Sequence, residues 1–449
     1  MYQAMYRSTW EWACTLDPAV RERSYLGFDF GDTVFRGNPV GPGPELHPMF
    51  LYAREWSKPA PQFIATLNGG RIVGTNGYLV PNGAVISPDG RLLWDVSVDY
   101  LEPDRHSVFS LKQVPPLLHA RESIAVLTAA ASYNYYHWMF DVIVRMGLLR
   151  LAGIEPDQYL FNRRTTRFQQ ETLQVLGIPE EKIMECGEET HLQSDRLIVP
   201  SLSGCTMHPP KWACETLRGY FLTERGIRPA SGYERIYVSR YRTPMRRVDN
   251  EPEVAELLEA CGFRRVSPES LTVAEQAAIF AAARIVVAPH GAGLTNLVFC
   301  SPGTKVIEFF SPDHPNACYW IISQHMNLDY AYFFCRPGER HGDVIVDLAV
   351  LRVMLEKAGV ASTPETAATL RRIYARRRMR AASILQRMFQ VEEAYAFVAE
   401  VYRELLHREP EPAGLEYHVN RLRHGTSKIG IVSDILQSEE ALRFYGKDG

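Results

Sequence analysis

Ile285-Val286-Val287-Ala288-Pro289-His290-Gly291-Ala292-Gly293-Leu294-Thr295-Asn296 decides the fold. Ile285–Ala288 is apolar without alternation, which predicts a strand buried on both faces. Two glycines follow, and with them a tight turn into the start of a helix. Without Cβ atoms there, the backbone can approach a diphosphate, while the helix start offers free N–H groups and the positive end of a dipole. The same pattern also serves as a turn that binds nothing. Asn296 stands where a dinucleotide fingerprint has its third glycine, which weighs against NAD and a nicotinamide-dependent oxidoreductase.

Working outward, the rhythm of strand and helix repeats. Ile236–Ser239, Phe263–Val266 and Val306–Phe309 read as strands around the first. Asn250 is placed to cap a helix ended by Gly262, and Thr272 with Glu275 resembles a capping box ahead of Gln276–Ala283. This β-α-β series predicts a Rossmann-like half. A second, upstream half is predicted from the strands Ile124–Thr128, Tyr159–Phe161 and Arg196–Val199. Helical patterns over His137–Leu151 and Phe168–Leu176 alternate with them. Earlier still, Asn68-Gly69, Asn76-Gly77, Asn82-Gly83 and Asp89-Gly90 predict hairpin turns between short β-rich runs such as Gly83–Ser87 and Arg91–Val98.

The domain reading that results is a β-rich segment over 1–120 packed on the first half, Rossmann-like halves at 121–230 and 231–360, and a basic helical linker at 361–389. A small all-α domain over 390–449 completes it. The linker carries six arginines between Arg371 and Arg380. These suit a solvated connecting helix crossing the N-terminal half, or a peripheral contact with an anionic membrane face.

Composition sets outer bounds. The 449 residues are 46% hydrophobic and 22% charged with a net charge of −3, which is ordinary for a globular chain and gives no global reason to expect nucleic acid. Eight scattered cysteines form no CxxC pair or zinc spacing, so reduced thiols are expected. No basic and apolar leader opens the chain, and no run of about 18 apolar residues occurs, so the expected location is cytoplasmic.

Three further elements could carry chemistry. Arg240 closes a strand, and Arg246 and Arg247 follow a short loop. Arginines at strand ends can grip phosphates bidentately, though most arginines are solvated surface. His137 and Asp141 are four apart on a helix and share a face; the pair suits a general base or a purely structural bond. Trp138 between them could stack on a sugar or fill the core. Glu308, at a strand end, could bind a ribose or sugar hydroxyl or pair internally. There is no Asp-x-Asp, no GxSxG and no GxxxxGK[ST], which weighs against metal-chelating transferases, esterases and P-loop nucleotidases.

Taken in order, Asn134–Asp141, Val238-Ser239-Arg240 with Arg246-Arg247-Val248-Asp249-Asn250-Glu251, Ala288–Asn296 and Pro302–Glu308 resemble glycosyltransferase family 61 over about residues 60–350. Asp249 departs from the pattern, where relatives usually carry an apolar residue. The resemblance implies a GT-B-like pair of halves, N-terminal for acceptor and C-terminal for donor. It also implies inversion at the anomeric carbon and a nucleotide-sugar donor, most often UDP-linked, as substrate, with no cofactor or metal. By position it implies donor contacts from Arg240, Arg246, His290, Gly291, Ala292, Gly293, Leu294, Thr295, Asn296 and Glu308, with Asp141 as base beside His137. The expected acceptor is a saccharide or glycolipid, as in bacterial surface polysaccharide or lipopolysaccharide synthesis. The competing class is a non-catalytic nucleotide- or carbohydrate-binding protein with a degenerate pocket. The tail from about 390 to 446 resembles domain-of-unknown-function family 4214 through Phe397-Val398, Tyr402–Leu406 and Arg408–Leu415.

Overall fold

The computed structural model describes residues 4–31, 35–56, 60–76, 81–406, 408–438 and 441. Two β-sheets enclose a layer of helices. The first sheet contains β1 (Met5–Tyr6), β2 (Tyr25–Phe28), β3 (Gln62–Leu67), β4 (Arg71–Asn76), β5 (Pro81–Ile86), β6 (Leu92–Leu93), β7 (Leu118–Val126), β8 (Gln158–Asn162), β9 (Ile183–Cys186) and β10 (His191–Pro200). The strands β10, β7, β8 and β9 lie side by side and parallel. Along the other edge of β10, β3 and β4 pair antiparallel, and β5 and β6 continue beyond β4.

The N-terminal strands therefore join the first sheet edge to edge. The first half is a mixed sheet with a four-stranded parallel part, and the opening strands hydrogen-bond an edge of β10 that would otherwise stand open. Asn68-Gly69 and Asp89-Gly90 make the expected turns, both with glycine in the left-handed region. Asn82-Gly83 makes none. It lies inside β5, where a Cβ at Gly83 would stand 2.8 Å from the Thr128 hydroxyl, so close strand packing explains this glycine. Of the Arg91–Val98 run only Leu92–Leu93 is strand, and a short 3₁₀ turn follows at Trp94–Val96. The turn expected at Asn76-Gly77 extends outside the described residues.

The second sheet is wholly parallel: β11 (Arg235–Val238), β12 (Arg264–Val266), β13 (Ile285–Pro289), β14 (Lys305–Phe310) and β15 (Asp329–Phe334), in the order β12-β11-β13-β14-β15. This is a doubly wound order whose direction reverses between β11 and β13. The Thr272–Glu275 capping box forms as read. Asn250 precedes the helix Glu251–Ala260 without capping it. Its amide instead exchanges two hydrogen bonds with the backbone of Val346.

Strand alternation distributes the core. Val286 and Ala288 face the inner layer while Ile285 and Val287 face outward, and Ala125 and Ile124 divide in the same way in β7. One continuous apolar cluster joins the inner faces of both sheets through Phe140, Trp212, Phe299 and Trp320. The two halves thus share a core. Outside the second sheet, the long helix Pro364–Gln390 packs on the helix Glu251–Ala260 of the C-terminal half, not across the N-terminal half. Its Arg372 and Arg376 pair with Glu256, and Arg377 with Glu253. The tail folds as three helices, Ala394–Leu406, Pro412–Arg423 and Lys428–Leu436, around their own small core. All eight cysteines are unpaired. No described helix is long and apolar enough to cross a membrane.

Candidate active site

In a doubly wound sheet the loops at a reversal diverge and leave a crevice at the strand C-termini. Here those loops are the one after β11, carrying Arg240 and Arg246, and the one after β13, carrying His290 to Gly293. A cavity of about 170 Å³ lies between them, lined by Arg240, Gly291, Ala292 and Gly293, with Tyr135 and Phe168 contributed by the first half. A larger hollow of about 580 Å³ lies at the opposite, N-terminal ends of β14 and β15, beside Lys305 and Asp329. Size favours the second and topology the first. We place the site at the first, because only there do the loops and the amides of a helix start converge.

Arg240 is fixed from two sides. Its Nε donates to the Arg246 carbonyl at 3.0 Å and one Nη to the Met245 carbonyl at 2.9 Å, and it makes no ion pair among the described residues. Burial, with the Arg246 charge beside it, pushes its pKa down to about 10, so it remains a cation at neutral pH. The guanidinium lies directly on Gly291: a Cβ there would stand 2.0 Å from an Arg240 Nη. Gly291 has extended backbone at φ 171°, so side-chain space for Arg240 is what requires glycine. At Gly293 a Cβ would crowd Val238 and Pro268 at 3.2 and 3.3 Å. Gly291→Ala is therefore expected to fold yet dislodge Arg240 from both carbonyls. Nucleotide affinity should weaken about 10–100-fold, by analogy with the loss of one charge-assisted hydrogen bond, as isothermal titration would measure.

Arg246 holds a left-handed backbone at φ 55°, and its side chain runs beside His314 beneath Gly342. Burial, then the charges of His341 and Arg246, pushes the His314 pKa down. Arg247 is anchored through its amide, which donates to Asp343 at 2.7 Å.

Behind the loop stands a buried relay. The Glu308 carboxylate, 0% exposed, accepts from His290 Nδ1 at 2.6 Å and from the Tyr330 hydroxyl at 2.5 Å. Glu308 is thus an internal partner that orients His290 rather than a group open to a ligand. Leu294, Thr295 and Asn296 are also buried. They belong to the 3₁₀ helix Ala292–Phe299, formed where an α-helix start was expected. Asn296 accepts from the Tyr135 hydroxyl at 2.9 Å and donates to Gln276 at 2.7 Å, tying the two halves together.

The first half has its own reversal, since β8 and β9 lie to one side of β7 and β10 to the other. Asp141 lines a small hollow there with Thr128 and Ala129, after β7, and Leu202 and Gly204, after β10. Its carboxylate meets His137 Nδ1 at 2.7 Å, and the Tyr100 hydroxyl lies 3.3 Å from the same nitrogen. The helix read over His137–Leu151 is α-helical at Tyr135–His137, π-helical over Trp138–Ile143 and α-helical again from Arg145. Such wide turns are rare overall and frequent at functional sites, though a second one, Gly219–Thr223, lies in the helix layer away from this hollow. Trp138 is fully buried and donates to Thr172, so it fills the core. Ring contacts bridge the sites: His137 meets Tyr136, Tyr136 meets Tyr319 and Tyr319 meets His290, with centroids 5.4, 6.0 and 5.2 Å apart.

Sequence reasoning missed Tyr135, Tyr319, Tyr330, His314 and Arg145. Tyr330 and Tyr319 carry no local signal because their partners are distant in the chain. Among the described residues no group of three or more His, Cys, Asp or Glu side chains converges as a metal site.

The chain thus carries two crevices, one lined by the Arg240 guanidinium and one by the Asp141–His137 pair. Residues 135–307 match the family Glycosyltransferase 61, and residues 386–445 match the Domain of unknown function (DUF4214). The chain is 41% identical over 97 residues to the EGF domain-specific O-linked N-acetylglucosamine transferase of Drosophila melanogaster. That stretch covers 21% of this chain and 18% of the fly protein. It is 32% identical over 113 residues to Beta-1,2-xylosyltransferase RCN11 of Oryza sativa subsp. japonica, covering 23% of this chain and 21% of the rice protein. The chain thus spans about a fifth of the length of these relatives.

Proposed function

We propose that the chain is an inverting, metal-independent glycosyltransferase. It moves a sugar from a nucleotide-sugar, UDP-linked by preference, to a hydroxyl of a saccharide or glycolipid such as a surface polysaccharide. The observation that carries this reading is Arg240 lying on Gly291 at the reversal of a doubly wound sheet, anchored to two carbonyls and without an ion pair among the described residues. The family match over the same loops supports it.

The leaving diphosphate sits between Arg240, Arg246 and the first-turn amides of Ala292 and Gly293, which have no intrahelical acceptors. Donors fixed in advance at developing charge contribute about 3–4 kcal/mol each. The Asp141 carboxylate takes the proton of the acceptor hydroxyl, whose oxygen bonds to the anomeric carbon. The bond from that carbon to the diphosphate oxygen breaks, and its electron pair leaves with the nucleotide. A single in-line displacement inverts the centre.

Thermal shift against UDP, GDP, CMP, dTDP, ADP and NAD, with and without EDTA, tests the reading. Ligand at about a hundred times its Kd stabilises by about 2.7 kcal/mol. The expected result is a shift with one nucleoside diphosphate, unchanged by EDTA and lost in Arg240→Ala. A shift that EDTA abolishes refutes the metal-free site. Nucleotide binding without any turnover of the sugar-linked donor favours a degenerate pocket.

A further inference from the structure

Arg145 lies beneath the candidate base and takes no part in the mechanism above. It is 0% exposed, yet it makes no ion pair among the described residues. Its donors instead hold three carbonyls: Nε and one Nη bond to Pro200 at 3.1 and 2.7 Å, that Nη also to Val126 at 2.9 Å, and the other Nη to Thr128 at 2.9 Å. Val126 and Thr128 lead out of β7, and Pro200 ends β10. These are the two strands whose outgoing loops line the hollow at Asp141. The second Nη also reaches the Asp141 carbonyl at 3.5 Å, four residues back through the π-helical turn. Burying a guanidinium without a carboxylate is costlier than filling the same space with Met or Leu, so packing alone does not account for it.

We propose that Arg145 is a positioning residue for the proposed base: by clamping the ends of β7 and β10 to the π-helical turn, it fixes where Asp141 stands relative to the acceptor hydroxyl. The proposal rests on the glycosyltransferase reading and on Asp141 as base. Burial pushes the Arg145 pKa down to about 10, with the Asp141 charge opposing, so the clamp stays charged at neutral pH. A shift of the turn by about 1 Å is enough to cost on the order of 100-fold in rate without moving the donor pocket.

The test uses the full chain with UDP-N-acetylglucosamine, following its hydrolysis by water and the thermal shift given by UDP. Arg145→Lys keeps the charge but cannot span three carbonyls. We expect kcat to fall by about 100-fold, with donor KM and the UDP-induced shift unchanged. The double variant Asp141→Asn with Arg145→Lys should be no slower than Asp141→Asn alone, because groups acting as one unit are not additive. If Arg145→Lys gives no cooperative melt, Arg145→Gln, which removes the buried charge and keeps two donors, takes its place with the same expectations. A folded Arg145 variant with wild-type kcat, or losses that multiply in the double variant, overturns the proposal while leaving the base assignment standing. Full turnover by Asp141→Asn removes the base assignment, and the role of Arg145 falls with it.

Discussion

Asp141→Asn should lower turnover of a nucleotide-sugar by about 10²–10⁴-fold, the range that a positioned general base contributes. The substitution keeps shape and removes the one carboxylate that lines the first-half crevice among the described residues. His137, held at 2.7 Å, then loses its anionic partner. Stability should barely move. The two side chains are 14% and 16% exposed, and the asparagine oxygen can still accept from His137, so the change should cost about 1 kcal/mol, the net contribution of one hydrogen bond. Nucleotide binding should not move either, since Arg240 and the loop after β13 are untouched. Steady-state turnover beside a melting curve with and without UDP separates these effects. Wild-type turnover in a folded Asp141→Asn protein would falsify the base assignment.

The second large effect is on stability. Glu308→Ala should cost about 1–3 kcal/mol for each of the two buried donors it leaves without an acceptor. Its two oxygens satisfy both the Tyr330 hydroxyl and His290 Nδ1, and none of the three groups reaches water freely. Burial first, and the Glu308 charge next, hold the Tyr330 hydroxyl far above its ordinary pKa, so it stays a donor and would be left unpaired. Urea unfolding should show a lower midpoint with an unchanged slope. Glu308→Gln is expected to be milder, within about 1–2 kcal/mol. The amide oxygen still accepts from Tyr330, while its NH₂ faces His290 and drives the ring proton from Nδ1 to Nε2. A Glu308→Ala protein as stable as wild type would mean the relay does not hold together.

Both predictions rest on residues that the sequence singled out, and for Glu308 it left a ligand contact and an internal pair equally open. The strand β13 and its glycine loop were legible because two-sided burial and small residues are local signals. The Thr272–Glu275 capping box was legible for the same reason. Glu308 was visible as a carboxylate in an apolar strand, yet its partners lie 18 and 22 residues away and nothing local pointed to them. Gly291 was read as room for a ligand, whereas its missing Cβ makes room for Arg240. The merging of β3 and β4 into the sheet of β10 depends on pairing across more than a hundred residues, beyond any periodicity argument. The π-helical turn escaped because apolar spacing over His137–Leu151 fits an α-helix equally well.

The core shared by the two sheets restricts how such a molecule can work. Trp212, Phe299 and Trp320 are packed between the halves, so swinging one half away from the other would expose the largest apolar cluster among the described residues. Rigid-body hinge opening is therefore energetically closed to it. On the proposed reading, entry of substrate and departure of the spent nucleotide would then fall to short segments at the rim, namely the loop Arg240–Arg247 and the small hairpin of Arg336–Pro337 with Val344–Ile345 that braces it. Turnover by such a transferase would be gated by rearrangement of that rim, where Arg247 and Asp249 exchange backbone hydrogen bonds with Val344.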